Sequence, residues 1–272
     1  MGMRGPNVKD LFDLSGRVAM VTGGAQNLGL DMAEALAEAG ADVAITSRDA
    51  AKAEGMAWSL ADETGARVLG FGMDIVEEES VAAVFARVVE AFGRLDILVC
   101  NAGGAKFSGG TPTIEGRLVD DFDHVTTLNL RGTFLCCREA VRIMKPAGRG
   151  SILTIGSISG MVGRDRSVYV GSESMVPNMN DYSAAKGAII AFTRDLAAEV
   201  GRDGLRVNCI SPGGFLRGQP EEFVRRYSEQ TMLGRMGTDG LDLKGAVVFL
   251  ASDASGYVTG QNLAVDGGFT AW

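Results

Sequence analysis

The stretch from Val18 to Gly29, VAMVTGGAQNLG, constrains the fold of this chain more than any other stretch. An apolar run leads into a glycine-bearing turn, which opens into a run of helical character from Leu28 to Glu38. Backbone N–H groups at a helix start lack intrahelical partners, and the helix dipole adds positive potential there, so such a turn favours a pyrophosphate. Gly23 permits the tight turn, and Gly29 lets the helix pack close to the strand. The stretch predicts a strand–turn–helix unit with an anion site.

Asn27 stands where a dinucleotide-binding turn usually carries its middle glycine. Among the non-glycine residues, Asn tolerates a positive φ best. We therefore expect the turn to differ in detail but to be retained.

Strand-like and helix-like stretches alternate along the chain, which is the pattern of βαβ crossovers. After the first strand we predict strands at 41–47, 67–72, 95–100, 151–155, 205–210 and 262–265, and helices at 28–38, 49–64, 77–92, 119–144, 182–200 and 243–250. The expected fold class is α/β, a single doubly wound Rossmann domain with a parallel sheet of about seven strands and helices on both faces. It would span residues 14–272, after a flexible N-terminal extension at 1–13.

Length and composition fit one such domain. The 272 residues are 46% hydrophobic and 22% charged, which allows a sizeable core. The net charge is −8 and no basic run occurs, so we expect no nucleic-acid partner. No apolar run approaches the roughly 18 residues of a membrane helix, and residues 1–13 lack the apolar core of a signal peptide. We expect no membrane partner and a cytoplasmic location.

The cysteines do not form a metal-binding pattern. Cys100, Cys136, Cys137 and Cys209 show no CxxC spacing, and the chain has a single histidine, His124. These residues cannot assemble a familiar zinc site, so we expect no metal. We interpret the cysteines as reduced thiols in the core.

The end of the second strand bears on the choice of cofactor. An acidic residue about 20 positions beyond the glycines would bond the ribose hydroxyls of NAD, but Ser47 and Arg48 occupy that place. A hydroxyl and a guanidinium can bond a 2′-phosphate, and this favours NADP(H) over NAD(H). The alternative is that Arg48 is a solvated surface residue that does not contact the cofactor. Gln26 adds no second positive charge. Asp74 could accept a hydrogen bond from the adenine amino group or cap a helix that starts at Glu77.

The chemistry is expected in Asp181–Lys186, DYSAAK. Tyr182 and Lys186 are four residues apart, which places them on one helix face. A neighbouring ammonium stabilises a phenolate and brings the pKa of the phenol toward the working range. Ser157 and Asn101-Ala102-Gly103 each follow a predicted strand, and Asn129 lies in the helical run NLRG.

Taken together, the motifs TGGAQNLG, NAGG, NLRG, GSISG, YSAAK, NCISPGG and TGQNLAVDGG resemble those of the classical short-chain dehydrogenase/reductase (SDR) family from about Leu14 to Gly268. The resemblance implies hydride transfer between a nicotinamide and a carbinol or carbonyl carbon. Tyr182 would be the general acid/base, and Ser157 would bond the substrate oxygen. Lys186 would hold the nicotinamide ribose and lower the pKa of Tyr182, while Asn129 would position a water that relays the proton.

The resemblance also implies a cofactor site and an assembly. The implied cofactor-binding set is Gly23, Gln26, Asn27, Leu28, Ser47, Arg48, Asp74, Ile75, Asn101, Ala102, Gly103, Tyr182, Lys186, Pro212, Gly213, Gly214 and Phe215. Family members usually pair the helices that correspond to 119–144 and 182–200, and both carry more apolar surface than one sheet face can cover. We expect a homodimer or a homotetramer with closed symmetry.

The chain departs from the family pattern near the predicted active site. Ser157 and Tyr182 are 25 residues apart, roughly a dozen more than in ordinary members, so an insertion at about 163–180 must loop out beside the site. Arg217 stands where the pattern PGxxxT would place a threonine, and it could serve either the cofactor or the substrate. A substrate loop is expected at about 214–236. The polar residues predicted to lie beside Ser157 and Tyr182 are Arg164, Asp165, Arg166, Ser172, Glu173, Asn178, Arg217, Gln219 and Arg226. The alternative is that most of these side chains face water.

Polar side chains of both charges suit a hydroxylated, anionic ligand whose oxygens need partners. The leading interpretation is an NADP-preferring oxidoreductase that acts on the secondary alcohol or carbonyl of a small polar substrate, such as a sugar, polyol or sugar acid. A 3-oxoacyl-thioester (acyl-carrier-protein) reductase is the alternative enzyme. A non-catalytic nicotinamide-binding regulator could lose the proton relay, but this chain keeps all four relay residues, Asn129, Ser157, Tyr182 and Lys186.

Overall fold

The computed structural model describes residues 5–172, 175–177 and 179–272. The central strands of the sheet are short, mostly apolar runs in which nearly every residue is buried, whereas the two edge strands are largely half-buried. The sheet strands are β1 (Val18–Val21), β2 (Asp42–Ser47), β3 (Val68–Gly72), β4 (Ile97–Cys100), β5 (Gly150–Ile155), β6 (Leu205–Pro212) and β9 (Asn262–Val265). They pair in parallel in the order β3-β2-β1-β4-β5-β6-β9. The strand order reverses beside β1, which is where a doubly wound sheet opens a crevice for ligands.

Helices cover both faces of this sheet. They are α1 (Asn27–Glu38), α2 (Ala50–Thr64), α3 (Glu78–Phe92), α4 (Val119–Thr126), α5 (Gly132–Ala147), α6 (Asn180–Val200), α7 (Glu221–Glu229) and α8 (Lys244–Ala251). Alternate residues of β1 enter opposite cores: Ala19 and Val21 pack with α1, α2 and α8, while Met20 packs with α3, α5 and α6. The predicted α/β fold class, with seven parallel strands and helices on both faces, is confirmed.

The helix predicted at 119–144 contains an irregularity. A π-helical segment, Thr127–Arg131, joins α4 to α5, and Asn129 lies within it. A single π turn shifts the apolar repeat of a helix by only about one residue, so the sequence pattern did not indicate this segment. Such π segments are frequent at functional sites.

Three elements in and beside the predicted substrate loop were missed. Helix α7 begins after Pro220, and the two-residue strands β7 (Phe215–Leu216) and β8 (Gly237–Thr238) form a separate parallel pair. Two residues are too few to show an alternation, and α7 is polar except for one apolar stripe. In the predicted N-terminal extension, residues 10–12 form a 3-10 turn, and the Phe12 ring lies 6.5 Å from that of Phe249.

Among the described residues, no helix combines the length and the apolar character required to cross a membrane.

Candidate active site

The glycine turn after β1 has the backbone that the sequence predicted. Gly23 has φ +64°, and Asn27 has φ +52°, the one positive φ of a non-glycine residue in the described part of the chain. A Cβ on Gly29 would lie 2.2 Å from the carbonyl oxygen of Gly23 and 2.4 Å from Nδ2 of Asn101. Gly29 therefore allows α1 to pack against the turn that follows β1 and against the end of β4.

Asn101 fastens the turn to the end of β4. Its Nδ2 donates to the carbonyl oxygens of Thr22 at 3.0 Å and Gly23 at 3.2 Å. In return, the N–H groups of Asn101 and Ala102 each donate to Oγ1 of Thr22 at 3.0 Å. These bonds are possible because the carboxyl ends of neighbouring parallel strands meet at one edge of the sheet.

The start of α1 fits a phosphate group. Its N-cap residue, Gln26, makes no side-chain cap, so the first N–H groups of α1 have no cap to satisfy them. Gly23, Gln26, Asn27 and Leu28 line the cleft at this point. Together with the helix dipole, this arrangement suits the pyrophosphate of a dinucleotide.

The first turn of α2 supplies a lysine, Lys52, that was not predicted and that lies beside the glycine turn. Lys52 of α2 donates through Nζ to Oε1 of Gln26, so this glutamine does have a positive charge beside it. Ser47 accepts from the N–H of Asp49 at 3.2 Å, and Arg48 is exposed. The first turn of α2 directly follows Ser47 and Arg48, and this proximity was the signal that could have identified Lys52.

Asp74 does not cap a helix. Helix α3 has Glu77 at its N-cap position without a side-chain cap, whereas Oδ1 of Asp74 accepts from the N–H of Val76 at 3.1 Å. The alternative reading of Asp74 as an N-cap is therefore wrong. The side chain of Ile75 is in the core, as is that of Phe215, which leaves their backbone atoms as the groups available to a cofactor.

Ser157, Tyr182 and Lys186 line one cleft of about 390 Å³ together with the glycine turn, Asn101-Ala102-Gly103 and Pro212-Gly213-Gly214. Nζ of Lys186 donates to the carbonyl oxygen of Ile155 at 2.7 Å and lies 5.6 Å from the centre of the Tyr182 ring. Ser157 follows β5 and accepts through Oγ from the N–H of Ser159 at 3.1 Å. The sheet edge and the first turns of α6 thus bring the three residues together.

The electrostatics of this group differ from our expectation. Burial raises the pKa of Tyr182, and it is opposed by the side-chain hydrogen bond with Ser157 and by the charge of Arg164. Burial lowers the pKa of Lys186 to about 8. The prediction that Lys186 lowers the pKa of Tyr182 is therefore wrong for this structure, because desolvation outweighs every charge near the phenol.

Asn129 lies against the loop after β4 and has no exposed surface. Its Nδ2 donates to the carbonyl oxygens of Gly104 at 2.7 Å and Val125 at 2.8 Å, and its Oδ1 accepts from the N–H of Gly104 at 3.1 Å. A Cβ on Gly103 would lie 2.5 Å from Oδ1 of Asn129 and 3.6 Å from Nζ of Lys186. The structure thus places Asn129 near Lys186, with its amide bonded to the backbone.

A buried ion-pair network holds the start of α6. Arg117 donates through Nε to Oδ2 of Asp181 at 2.9 Å and through Nη1 to Oδ2 of Asp121 at 2.8 Å. Asp181 directly precedes Tyr182, so this network positions the tyrosine. Residue spacing could not predict this network, because Arg117 and Asp181 are 64 residues apart.

The insertion lines the cleft with different residues from those predicted. Within the insertion, Arg164 lines the cleft as predicted. The other described residues of the insertion that line it are Val168, Tyr169, Met175 and Val176. The 3-10 turn at Arg166–Tyr169 places apolar side chains in this part of the wall, because it buries Val168 against the aromatic side chains of α7.

Most of the predicted polar residues therefore do not face the substrate. Asp165 accepts from the N–H of Ser167 at 2.8 Å, and Arg166 donates to the carbonyl oxygen of Pro112 at 2.9 Å. Ser172 is buried and lies outside the cleft lining. The predictions for Glu173 and Asn178 fall outside the described residues. The expected polar wall is wrong for the part of the insertion that the structure describes.

Arg217 is paired with protein carboxylates. Its Nε donates to Oδ1 of Asp239 at 2.8 Å, and its Nη2 lies 3.4 Å from Oδ2 of Asp31. Two carboxylates offset its single charge, so the hypothesis that Arg217 recognises a substrate anion loses its basis. Gln219 accepts from the N–H of Arg217 at 2.6 Å, and Arg226 pairs with Glu222 at 2.6 Å.

Aromatic residues form the wall on the side of α7. Phe223 lies 5.3 Å from Tyr169 and 5.8 Å from Tyr227, and Tyr227 stacks on Phe269 at 5.0 Å between ring centres. The hydroxyl of Tyr227 accepts from the N–H of Gly214 at 2.5 Å, which ties α7 to the loop after β6. The cleft is thus polar where it meets the sheet edge and mainly apolar beyond it.

The parallel sheet, the glycine turn at its switch point and the Ser157–Tyr182–Lys186 group define a Rossmann-type protein that uses a nicotinamide cofactor. The chain belongs to the short-chain dehydrogenase/reductase family. The family model described as "Enoyl-(Acyl carrier protein) reductase" matches residues 23–270, and the sequence motifs and structural neighbours agree with the classical form of the family.

Relatives of this chain include oxidoreductases with several substrates. It is 35% identical to sorbose reductase of Candida albicans over 97% of this chain and 90% of the relative. It is 37% identical to cis-4-hydroxycyclohexanecarboxylate dehydrogenase of Sinomonas cyclohexanicum over 94% of this chain and 97% of the relative. A crystal structure of gluconate 5-dehydrogenase from Burkholderia cenocepacia with NADP and tartrate superposes with a TM-score of 0.87, at 33% identity, over 98% of this chain and 100% of that one.

Proposed function

We propose that this protein is an NADP(H)-dependent oxidoreductase that interconverts a secondary alcohol and a ketone. The observation that carries the proposal is the placement of Ser157, Tyr182 and Lys186 on one cleft with the glycine turn. When bound, NADP(H) supplies the carbon that takes or gives the hydride. The chain's own residues bind and orient the two molecules and move the proton.

The proton step belongs to Tyr182. In reduction its hydroxyl protonates the oxygen that develops negative charge, and in oxidation the phenolate takes the proton from the alcohol. Ser157 donates to the substrate oxygen and so aligns it with the phenol. Lys186 extends from α6 with its Nζ 5.6 Å from the centre of the Tyr182 ring, and it would bond a ribose hydroxyl of the cofactor. Asn129 lies near Lys186 and would order the water that completes the relay.

The cofactor preference rests on Ser47, Arg48 and Lys52. A 2′-phosphate beside these side chains would accept a hydrogen bond from one hydroxyl and pair with two positive charges. NAD(H) lacks this phosphate, so neither charge would have a partner on the cofactor. The structural relative with bound NADP supports the same choice. The remaining cofactor residues proposed from the sequence keep their roles, with Ile75 and Phe215 contributing backbone atoms only.

The substrate is proposed to be a compact alcohol or ketone. Relatives named for sorbose, gluconate and a hydroxycyclohexanecarboxylate support a small substrate in which a secondary alcohol or a ketone reacts. A 3-oxoacyl-thioester reductase is the second candidate, because the apolar wall of Val168, Tyr169 and Phe223 suits an acyl chain and the family model carries an acyl-carrier-protein reductase description.

One screen separates these possibilities. Purified protein is assayed with NADPH and NADH on ketoses, sugar acids, cyclic ketones and acetoacetyl thioesters, and in reverse on polyols. We expect turnover of a compact ketone with NADPH at the highest kcat/KM. Highest kcat/KM on the thioester would establish the second candidate. Binding of NADPH without turnover of any class would contradict both and favour a regulatory protein.

A further inference from the structure

Arg164 is the cation that the insertion places in the substrate part of the cleft. It lines the cleft with Ser157 and Tyr182, and its charge acts on the hydroxyls of both Tyr182 and Tyr227. The carboxylates of the described residues form no ion pair with it. Arg217, the other arginine of the cleft, is paired with Asp31 and Asp239. Arg164 therefore brings a charge to the cleft that its described neighbours do not offset.

Neutral partners hold the Arg164 guanidinium in place. Nη1 donates to the hydroxyl of Tyr169, Nη2 donates to Oγ of Ser159, and the group lies 5.9 Å from the centre of the Tyr169 ring. These bonds use two of the five N–H donors of an arginine. Ser159 is bonded to Ser157, so the guanidinium is fixed relative to the serine that would hold the substrate oxygen.

The surroundings of Arg164 indicate the shape of the ligand. Val168, Tyr169, Phe223 and Tyr227 form an apolar and aromatic wall beside it. Such walls do not supply the many hydrogen bonds that a polyol needs, but they do cover a compact hydrocarbon body. A planar guanidinium bonds a carboxylate with matching geometry.

We propose that Arg164 is the anion-binding residue of the substrate pocket, and that the substrate is a secondary alcohol or ketone that carries a carboxylate on a compact apolar body. This inference rests on the proposed oxidoreductase function and specifies its substrate. The insertion that separates Ser157 from Tyr182 is then the element that confers specificity for the acid.

Two matched probes test the proposal with NADPH. The probes are 4-oxocyclohexanecarboxylate and its methyl ester, which share the ring and the ketone and differ in charge. We expect wild-type kcat/KM to favour the acid by about tenfold or more, since charge-assisted hydrogen bonds are the stronger ones. In Arg164→Gln we expect the ratio of kcat/KM for the acid to that for the ester to fall about 10- to 100-fold, through a raised KM for the acid. A loss that acts through the pKa of Tyr182 affects both probes and cancels in this ratio. Arg164→Lys should retain part of the preference.

Arg166→Gln is the matched control, because Arg166 belongs to the same loop and donates to Pro112 outside the cleft. It should leave both probes unchanged. Equal losses for the acid and the ester in Arg164→Gln would overturn the proposal and make Arg164 a positioning residue for Ser159 and Tyr169. A raised KM for NADPH with an unchanged KM for the acid would also overturn it.

A binding measurement separates this proposal from the proposed function. Cyclohexanecarboxylate and cyclohexanecarboxamide are titrated into the wild type and Arg164→Gln by calorimetry in the presence of NADPH. Tighter binding of the acid that depends on Arg164 supports the proposal even if neither ketone turns over. Equal binding of acid and amide contradicts it, whatever the activity.

Discussion

At the scale of single residues, Lys52 and Arg48 set the expected cofactor preference. Arg48→Asp should reverse the preference for NADPH over NADH, because a carboxylate repels a 2′-phosphate. Lys52→Met should reduce the preference about fivefold or more, as one charge-assisted contact is lost. The ratio of kcat/KM for the two cofactors measures both effects. Equal use of NADH by the wild type would contradict the assignment.

The lowered pKa of Lys186 predicts that the free energy of unfolding depends on pH. Its pKa falls from an ordinary 10.5 to about 8 in the folded protein, so between these values the unfolded chain binds a proton that the folded chain does not. The free energy of unfolding should therefore rise with pH across this window, by about 3 kcal/mol for this group. Below pH 8 both states are protonated and the contribution is constant.

Urea unfolding of the wild type and Lys186→Met at pH 8 and pH 10.5 measures the effect as a difference, which removes the groups common to both proteins. The wild type should gain about 3 kcal/mol relative to the variant. A difference that does not change with pH would show that Lys186 has an ordinary pKa.

At the scale of elements, the approach of α1 to the glycine turn depends on Gly29. Gly29→Ala would place a Cβ 2.2 Å from a backbone oxygen, so α1 must shift away from the turn. We expect a loss of about 2 kcal/mol or more of unfolding free energy, together with weaker NADPH binding. Chemical denaturation and a fluorescence titration measure the two effects.

Gly55 offers the control, because it lies inside α2 and its Cβ would meet nothing within 4 Å. Gly55→Ala should stabilise the protein by about 1 kcal/mol through helix propensity alone. Equal effects of the two substitutions would contradict the close packing at Gly29.

The strands and helices show which parts of the fold and of the site could be predicted from the sequence. Continuous apolar runs such as Leu95–Cys100 predicted the sheet strands, and Asn27 was expected at a positive φ because few other residues tolerate it. Helix α7 was missed since its buried residues, Phe223 and Tyr227, are two among polar neighbours. The roles of Lys52 and Arg164 depend on tertiary placement, which residue spacing does not contain. For the same reason, polar loop residues were wrongly assigned to the cleft wall.

At the scale of the whole molecule, we propose association through the helices α4, α5 and α6. Phe134 is 45% exposed and lies 6.4 Å from Phe192, and Phe122 and Val119 are also exposed. Multi-angle light scattering at micromolar concentration should give a mass of at least twice 28.5 kDa. Phe134→Asp should shift the population toward the monomer. A wild-type monomer would contradict this proposal but leave the active-site assignment intact.

Tyr182→Phe removes the hydroxyl that we propose moves the proton in this NADP(H)-dependent oxidoreductase. NADPH oxidation is measured with the ketone that the wild type reduces best, and NADPH affinity is measured in parallel by fluorescence titration. We expect a loss of about 10²- to 10⁴-fold in kcat with NADPH affinity nearly unchanged, because only the proton donor is removed. Near-normal turnover by Tyr182→Phe would contradict it and assign the proton to another residue.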